Sequence, residues 1–418
     1  MNAGTPGPVP SAPPTGAAPV PPVVRRQKGR AGIAIAVVVI LVVAGIAAVA
    51  YADHWFGGGA TSNESACSTG ITLQGNGAQI VNPLVLVWAR DYQGASDDQV
   101  NYVDGGSGTG LTDFSENPPL VDFAITDNPL SPAQRAAMPA QPLTLPIVGG
   151  SITVIYNLPG LTGHLNLTGA ILAEIFNGNI TTWNNAAIAG INPGANLPSA
   201  TIVTVHRSDS AGATYVFTDL LSQDSPYWAS TVGKSLTPAW PKAPSQTAVK
   251  GNALMLSTVG GTADTIGYSD LTDTLTYTAS TLQYAAIQNP AGQFVVPTLA
   301  NTATAINDKL ATTTLPSSTG SWFNVSMVNA DGASDYPLAT FIFLYVYQAT
   351  DKGLSPSLPR SQVLVQWLSY VLSPSAQALA NSTAQELYYV PLPASVVTVD
   401  IAGIQTMTFS GAAIPACK

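Results

Sequence analysis

The sequence is poor in charged residues, in histidine and in cysteine. Only 9 % of its 418 residues are charged, whereas a typical globular domain has about 25 %. Lys and Arg number 14 against 23 Asp and Glu, so there is no basic field that would attract a nucleic acid. Two cysteines and three scattered histidines provide no zinc-site spacing. We therefore expect no metal, no other cofactor and no nucleic-acid partner.

Motifs of common enzymes are also missing. Neither G-x-G-x-x-G, Walker A nor G-x-S-x-G occurs in the glycine-containing loops described below. A hydrolase such as an extracellular phosphatase would need metal ligands or an activated nucleophile. His54, His164 and His206 stand without any supporting motif. The sequence therefore favours a protein that is not an enzyme.

The N-terminal part is organised as a tail, an apolar run and a linker. Residues 1–30 are rich in Pro, Gly and Ala and end in four cations, which predicts a disordered tail. Residues 31–51 are uncharged and apolar, and as a helix they would be about 31 Å long. No acidic residue precedes Asp53. The positive-inside rule then predicts a cytoplasmic tail, a single-pass membrane anchor over 31–52, and an extracytoplasmic remainder after a linker over 53–66.

A cleaved signal peptide is the competing interpretation, with Ala50-Tyr51-Ala52 as the cleavage site. The 30-residue basic region and the 21-residue apolar run exceed the usual dimensions of such a peptide, whose apolar part has about 7–15 residues. No cysteine ends the run, which excludes a lipoprotein anchor. We therefore favour a retained anchor in the cell membrane.

The extracytoplasmic part is long, acidic and bounded by cysteines. Its 366 residues suggest about two domains. It contains ten basic and 23 acidic residues, and such a weakly charged surface suits acidic surroundings, where ordinary surfaces gain net positive charge. Cys67 and Cys417 lie at its opposite ends, and an oxidising compartment favours a disulfide between them over two separate buried thiols.

Helical and strand patterns alternate between these cysteines. Apolar residues at helical spacing predict four helices, marked by Ile80–Trp88, Ile171–Phe176, Ala213–Leu221 and Leu364–Val371. Short apolar runs predict buried strands at Val121–Ile125, Ile152–Ile155, Ile202–Val205 and Phe341–Tyr347. The alternation predicts an α/β fold.

Three loops share the layout of strand, small residues and helix start. They are Gly75–Ala78 before a helix from about Ile80, Gly105–Gly110 before Leu111, and Arg207–Gly212 before Ala213. Glycine lets backbone N–H groups converge, and a helix N-terminus favours an anion. One such loop is most often a plain turn, but three in one α/β chain predict a shared oxyanion pocket.

The chain resembles the periplasmic phosphate-binding protein of the high-affinity phosphate ABC transporter, from about Ile71 to about Val397. The landmarks occur in order along the chain: Trp88-Ala89-Arg90-Asp91-Tyr92-Gln93, Val100-Asn101-Tyr102, Val121–Leu130, Trp183-Asn184-Asn185-Ala186-Ala187-Ile188, Asn192-Pro193-Gly194, Arg207-Ser208-Asp209, Val216-Phe217-Thr218, Lys250-Gly251-Asn252, Ile266-Gly267-Tyr268 and Leu392-Pro393.

The resemblance implies a two-lobed, hinged solute-binding fold of the type II periplasmic-binding-protein class. By position, lobe one would comprise residues 67–148 and 335–418, and lobe two residues 149–334. A dehydrated phosphate, or a similar oxyanion, would lie in the cleft between the lobes. The implied function is extracytoplasmic anion binding for delivery to an ABC permease.

Four residues match the binding residues of that family. Ser107 matches a hydroxyl donor, and Asp127 matches the carboxylate that accepts a hydrogen bond from the phosphate's own proton. Arg207 matches the guanidinium that binds the anion, and Asp209 the acid that orients it. Without the resemblance, a turn residue before Asn128-Pro129 is the favoured interpretation of Asp127. The corresponding alternative for Arg207 and Asp209 is an exposed ion pair in a turn.

Other positions depart from the family. Gln79 and Ile80 stand where the family has a Thr or Ser followed by a donating amide. Ala211 and Ala213 replace hydroxyl residues of the third loop, which leaves the Gly212 amide and the Thr214 hydroxyl as donors, with partial compensation from the two N–H groups of Gln79. Each lost donor to a charged ligand costs about 1.5–3 kcal/mol. The alternative function is therefore a degenerate solute-binding domain that acts as a cell-surface sensing or interaction module.

Overall fold

The structure, a computed structural model, describes Met1, residues 70–278 and residues 281–416. The predicted tail after Met1, the predicted membrane segment, the linker, and Cys67 with Cys417 lie outside the described residues. Within the described ranges, no helix has the length and apolar character needed to cross a membrane. Residues 61–418 form one unit of their own, and the fold below is that of its described part.

Helices form where apolar residues recur at helical spacing, and all four predicted helices are confirmed. Several begin at a hydroxyl side chain that accepts a hydrogen bond from the first turn, for example Thr168 from Ile171 and Thr298 from Asn301. The described helices are α1 Asn82–Ala95, α2 Ser107–Ser115, α3 Pro132–Ala137, α4 Gly169–Phe176, α5 Ala186–Ile191, α6 Gly212–Asp224, α7 Pro226–Thr231, α8 Gly251–Gly261, α9 Leu271–Thr276, α10 Leu299–Thr312, α11 Leu358–Val371, α12 Pro374–Leu379 and α13 Ala394–Ile404. Short 3-10 turns occupy Gln79–Val81, Thr350–Lys352 and Thr383–Gln385.

The strands form a nine-stranded mixed sheet and two small sheets. The described strands are β1 Thr72–Gly77, β2 Gln99–Val103, β3 Phe123–Thr126, β4 Pro142–Asn157, β5 Asn166–Leu167, β6 Val203–Arg207, β7 Gln246–Val249, β8 Thr265–Asp270, β9 Gln283–Tyr284, β10 Ala286–Gln288, β11 Phe294–Val295, β12 Ala339–Tyr347, β13 Thr408–Phe409 and β14 Ala412–Ala413. The large sheet has the order β2-β1-β3-β12-β4-β8-β6-β7, and β9 also pairs with β4. Its helix-covered, mostly buried strands confirm the predicted α/β class.

Strand β4 divides the large sheet into two halves. Its residues up to Ser151 pair with β12, and those from Ile152 pair with β8. We call β2, β1, β3, β12 and the first part of β4 half-sheet one, and the second part of β4 with β8, β6 and β7 half-sheet two. In half-sheet one, β12 runs antiparallel to β3, while β3, β1 and β2 are parallel to one another. In half-sheet two, β4 runs antiparallel to β8, while β8, β6 and β7 are parallel to one another.

The extent of β4 and the start of α2 were predicted wrongly. Strand β4 has 16 residues, all buried, although only Ile152–Ile155 were predicted. Pro146 pairs with Phe343 at a register shift, since the neighbouring residue of β12, Ile342, pairs with Val148, and the regular ladder is interrupted there. Helix α2 begins at Ser107 rather than at Leu111. Gly110 lies inside this helix. Glycine is needed there because the helix packs closely on β1, and a Cβ at this position would be 2.5 Å from the Asn76 carbonyl oxygen.

Candidate functional site

The carboxyl ends of parallel strands from both half-sheets meet at one place. The ends of β1, β2 and β3 lead to Gln79, Ser107 and Asp127. The ends of β6, β7 and β8 lead to Arg207, the Lys250-Gly251-Asn252 segment, and Asp270. Ligand sites of open α/β sheets lie at such strand ends. We call this set, together with Asp209, Gly212 and Asp273, the strand-end site.

Arg207 is the central cation of the strand-end site. It is 4 % exposed, so it is not an exposed turn residue. Its Nε donates to Asp209 Oδ1 at 2.7 Å, and its Nη2 donates to the other carboxylate oxygen. Nη1 donates to Asn252 Oδ1 at 2.5 Å, and Nη2 also donates to Gln79 Oε1 at 2.9 Å. Asp209 therefore fixes one edge of the guanidinium, and the two amides contact its Nη groups.

Asp127 lies across from Arg207 on half-sheet one. It is buried and accepts a hydrogen bond from Ser107 Oγ at 2.6 Å. Its carboxylate packs directly against Gly212, where an added Cβ would be 1.2 Å from Oδ1. Gly212 is the first residue of α6, a 13-residue helix. The carboxylate of one half-sheet therefore contacts the positive N-terminus of a helix that follows the other half-sheet.

The second and third loops also contact each other through the backbone. The Gly108 N–H donates to the Ser210 carbonyl oxygen at 3.2 Å. A Cβ on Gly108 would be 2.1 Å from Ser210 Oγ, so this approach depends on glycine. Two of the three loops predicted to converge therefore contact each other directly.

Asn252 connects Arg207 to two further carboxyl groups. Its Nδ2 donates to Asp270 Oδ2 and, at 2.9 Å, to Asp273 Oδ2. Asp270 is fully buried, and its Oδ1 accepts from the Asp273 N–H at 2.8 Å. Arg207 therefore belongs to a network that contains Asp209, Asp270 and Asp273, with Asp127 opposite.

Burial and charge act in opposite directions on these groups. Burial raises the pKa of Asp127, while the Ser107 hydrogen bond and the Arg207 charge oppose the rise. Burial, and next the charge of Asp273, raise the pKa of Asp270 well above its usual range. Burial raises the pKa of Asp209, but the hydrogen bonds and charge of Arg207 outweigh it, so that this pKa is lowered. The site can therefore hold protons on some carboxyl groups while Arg207 stays charged.

The structure brings most of the predicted site residues together. Ser107, Asp127, Arg207, Asp209, Gly212 and Gln79 all make contacts within the strand-end site. Gln79 was expected to donate through its N–H groups, but it is its acceptor atom Oε1 that contacts Arg207. The expectation assumed a partner anion, and a guanidinium needs an acceptor instead.

Two predicted residues have other partners. The Thr214 hydroxyl is fully buried and forms a 2.7 Å hydrogen bond with the Tyr268 hydroxyl. This hydrogen bond occupies the hydroxyl that was predicted to donate to the anion. The side chain of Ile80 is buried in the core, and its carbonyl oxygen accepts from the Tyr389 hydroxyl at 2.6 Å. The prediction for Ile80 concerned its backbone N–H as a donor, and it stays a prediction.

Sequence reasoning missed Asn252, Asp270 and Asp273 as parts of the site. A signal was present, because Val249-Lys250-Gly251 repeats the layout of strand, small residue and helix start. Gly251 has φ +79°, and its N–H donates to Asp209 Oδ1 at 3.1 Å. A fourth loop thus completes the site. Among the described residues, no group of three or more His, Cys, Asp and Glu side chains is arranged to hold a metal ion.

Comparison with known proteins agrees with this architecture. The family described as the PBP superfamily domain matches residues 61–375. Among curated proteins, the phosphate-binding protein PstS of Xylella fastidiosa (strain 9a5c) is 32 % identical over 344 residues, covering 81 % of this chain and 87 % of the relative. The phosphate-binding protein PstS of Pasteurella multocida (strain Pm70) is 33 % identical over 328 residues, covering 78 % and 88 %.

Solved structures show the same fold. A high affinity periplasmic phosphate-binding protein (PfluDING) bound with phosphate matches with a TM-score of 0.61 and 22 % identity, covering 79 % of this chain and 93 % of that chain. A putative phosphate ABC transporter substrate-binding protein with bound phosphate from Clostridium perfringens matches with a TM-score of 0.52 and 16 % identity, covering 77 % and 100 %. Family, curated relatives and fold agree, and the chain belongs to the PBP superfamily, among the relatives of the phosphate-binding protein PstS.

Proposed function

We propose that this protein is an extracytoplasmic carrier that binds inorganic phosphate and delivers it to an ABC permease, without chemistry on the ligand. The observation that carries the proposal is the buried guanidinium of Arg207, held at the strand ends opposite Ser107 and Asp127. Relatives named as phosphate-binding proteins support the choice of ligand.

The donors fit a small tetrahedral oxyanion. Arg207 supplies charged N–H groups, and the Gly212 amide lies at the N-terminus of α6, where the helix dipole favours an anion. The Ser107 hydroxyl donates to Asp127 in this structure and would turn to the anion on binding. Asp127 accepts a hydrogen bond from a proton that stays on the ligand. A hydrogen phosphate has such a proton and sulfate has none, so sulfate would leave two acceptors facing each other.

Binding couples to movement of two lobes in this proposal. Lobe one comprises residues 67–148 and 335–418, and lobe two residues 149–334. Ser107 and Asp127 come from the first, and Arg207 and Gly212 from the second. An anion that contacts both stabilises their closed arrangement, which the permease then recognises. The contacts that support this are those between Asp127 and Gly212 and between Gly108 and Ser210.

We also propose that the protein is tethered to the cell membrane by residues 31–52, with its N-terminus in the cytoplasm. The uncharged apolar run and its basic flank support this topology. A disulfide between Cys67 and Cys417 would then close the extracytoplasmic part. Mass spectrometry of the mature protein, with and without reduction, tests both the retained N-terminus and the disulfide.

A sensing or interaction module is the second candidate. It is favoured by one observation, the contact of Gln79 Oε1 with Arg207, because this neutral side chain takes a donor that an anion needs. Arg207→Ala separates the two functions. It abolishes phosphate uptake by a carrier and leaves a pure interaction role intact.

The deciding experiment is a calorimetric titration of the full-length protein with phosphate and with sulfate. A carrier binds phosphate with a Kd in the micromolar range or below, and binds sulfate at least about 100-fold more weakly, a difference of about 2.7 kcal/mol. A folded protein without micromolar phosphate binding would exclude the carrier function.

A further inference from the structure

The side-chain oxygen of Gln79 is the meeting point of two donors from half-sheet two. Oε1 accepts from Arg207 Nη2 at 2.9 Å and from the Asn252 backbone N–H at 3.1 Å. Gln79 itself follows β1, on half-sheet one. A single amide oxygen therefore joins the two half-sheets at the strand-end site.

These two donors are of the kind that an oxyanion oxygen takes. One is a guanidinium N–H, which binds anions by charge-assisted hydrogen bonds. The other belongs to the first turn of α8, an 11-residue helix, where N–H groups have no acceptor within the helix. Gln79 Oε1 thus has the partners expected of an anion oxygen, although the amide is neutral.

The neighbouring backbone leaves room for this amide. Gly251 adopts φ +79°, and a Cβ on it would be 3.1 Å from Gln79 Nε2. Its N–H donates to Asp209 Oδ1, so the same glycine also supports the acid that orients Arg207. The absence of a side chain at Gly251 therefore allows the amide of Gln79 to reach Arg207.

We propose that Gln79 is an internal competitor of the anion and sets the affinity of the strand-end site. This rests on the proposed function. An anion oxygen gains the Nη2 donor of Arg207 and the Asn252 N–H only when Gln79 Oε1 releases them. The measured phosphate affinity is then lower than that of a site without this amide, because the hydrogen bonds of Gln79 Oε1 to Arg207 and Asn252 must first be broken.

Gln79→Met tests the competition, since methionine keeps the length of the side chain and removes the carbonyl oxygen. Calorimetric titration of the full-length variant with inorganic phosphate should show binding at least about 10-fold tighter than in the wild type. Gln79→Glu should bind at least about 10-fold more weakly, because a tethered carboxylate pairs with Arg207. Gln93→Met, at an exposed position of α1, is the matched control and should leave the affinity unchanged.

A second measurement reports the contact without any ligand. Hydrogen exchange of the Asn252 amide should become at least about 10-fold faster in Gln79→Met, because its acceptor is lost, and should be unchanged in Gln93→Met. Faster exchange together with tighter phosphate binding supports the proposal. An unchanged or weaker phosphate affinity in Gln79→Met overturns the competition, while the carrier function stands as long as the wild type binds. If neither protein binds phosphate, the carrier function itself fails, and the competition with it.

Discussion

Two arginine–aspartate pairs in this protein have the same bidentate geometry but very different positions in the sequence. Arg207 contacts both oxygens of Asp209, two residues away. Arg360 contacts both oxygens of Asp122, each at 2.6 Å, across 238 residues. Asp122 also accepts from the Gln74 N–H at 2.7 Å, and Arg360 donates to the Thr72 carbonyl oxygen at 3.1 Å.

The difference separates a pair that stabilises the fold from a pair that prepares a site. Arg360 joins α11 to β1 and to the start of β3, so its pair forms only when distant segments come together. Arg207 and Asp209 are two residues apart, so the chain loop that their contact closes is very short and the contact does not join distant segments. Asp209 instead fixes the direction of the guanidinium, whose Nη groups contact Asn252 and Gln79. Geometry alone does not reveal which role an ion pair has.

The largest effect is expected from Arg207→Ala. The variant should lose about 1,000-fold in phosphate affinity, or about 4 kcal/mol, because the ligand loses a buried charge and its charge-assisted hydrogen bonds. The phosphate affinity of Arg207→Lys should lie between those of the wild type and Arg207→Ala, since lysine keeps the charge but lacks the planar guanidinium. Calorimetric titration gives both values.

Arg90→Ala is the matched control for charge, because Arg90 is exposed on α1. It should change the affinity by less than about threefold, since exposed charges are screened by salt. Equal losses in Arg90→Ala and Arg207→Ala would contradict a local binding site and indicate a general charge effect.

The second largest effect is expected from Arg360→Ala, on stability. Its side chain is 18 % exposed and that of Asp122 only 3 %, so the variant leaves a buried carboxylate without its cation. Breaking such a pair costs about 3–5 kcal/mol when it is fully buried, and the partial exposure lowers the expected loss to about 2–3 kcal/mol. Urea unfolding measures this loss.

The variant that remains folded should keep the wild-type phosphate affinity, which is the opposite of the Arg207→Ala result. Lys352→Ala is the control, because Lys352 pairs with Asp351 at 3.1 Å but is 59 % exposed. Its effect should be below about 0.5 kcal/mol. A loss of affinity in folded Arg360→Ala would remove the distinction between the two pairs.

The sequence predicted the parts of the fold that depend on local pattern. The spacing of Ile171, Leu172, Ile175 and Phe176 fits one helical face, and α4 is found there. The extent of β4 was not predictable in the same way, because Pro146 is tolerated only through a register shift against β12, which is distant in sequence. Local pattern does not contain such pairing.

The same limit applies to the strand-end site. Arg207, Asp209 and Gly212 lie in one loop and could be identified together, with their roles supplied by resemblance. Asn252 contributes only through the folded arrangement, which brings the end of β7 beside Arg207. The direction of Gln79 was also unpredictable, since whether an amide donates or accepts depends on the group that faces it.

The smallest of the three effects is expected from Asp270→Asn, and it concerns pH. Burial and the Asp273 charge raise the pKa of Asp270, and burial raises that of Asp273. The folded protein therefore binds protons at this pair more tightly than the unfolded chain. The resulting stabilisation is complete below the ordinary pKa of 3.8 and is lost as the pH rises through the folded-state pKa. Asp209, whose pKa Arg207 lowers against the effect of burial, acts in the opposite sense as the pH falls.

Urea unfolding between pH 4 and pH 7 should thus show a flatter decline of stability with rising pH in Asp270→Asn than in the wild type. Asp400→Asn is a second test of the same effect, since burial also raises the pKa of Asp400, whose carboxyl oxygens have no hydrogen-bond partner in the described part of the chain. It should flatten the decline as well, although Asp400 lies on α13, outside the strand-end site. A decline identical to that of the wild type in Asp270→Asn would show that Asp270 is ionised in the folded protein over this pH range, and would contradict the raised pKa.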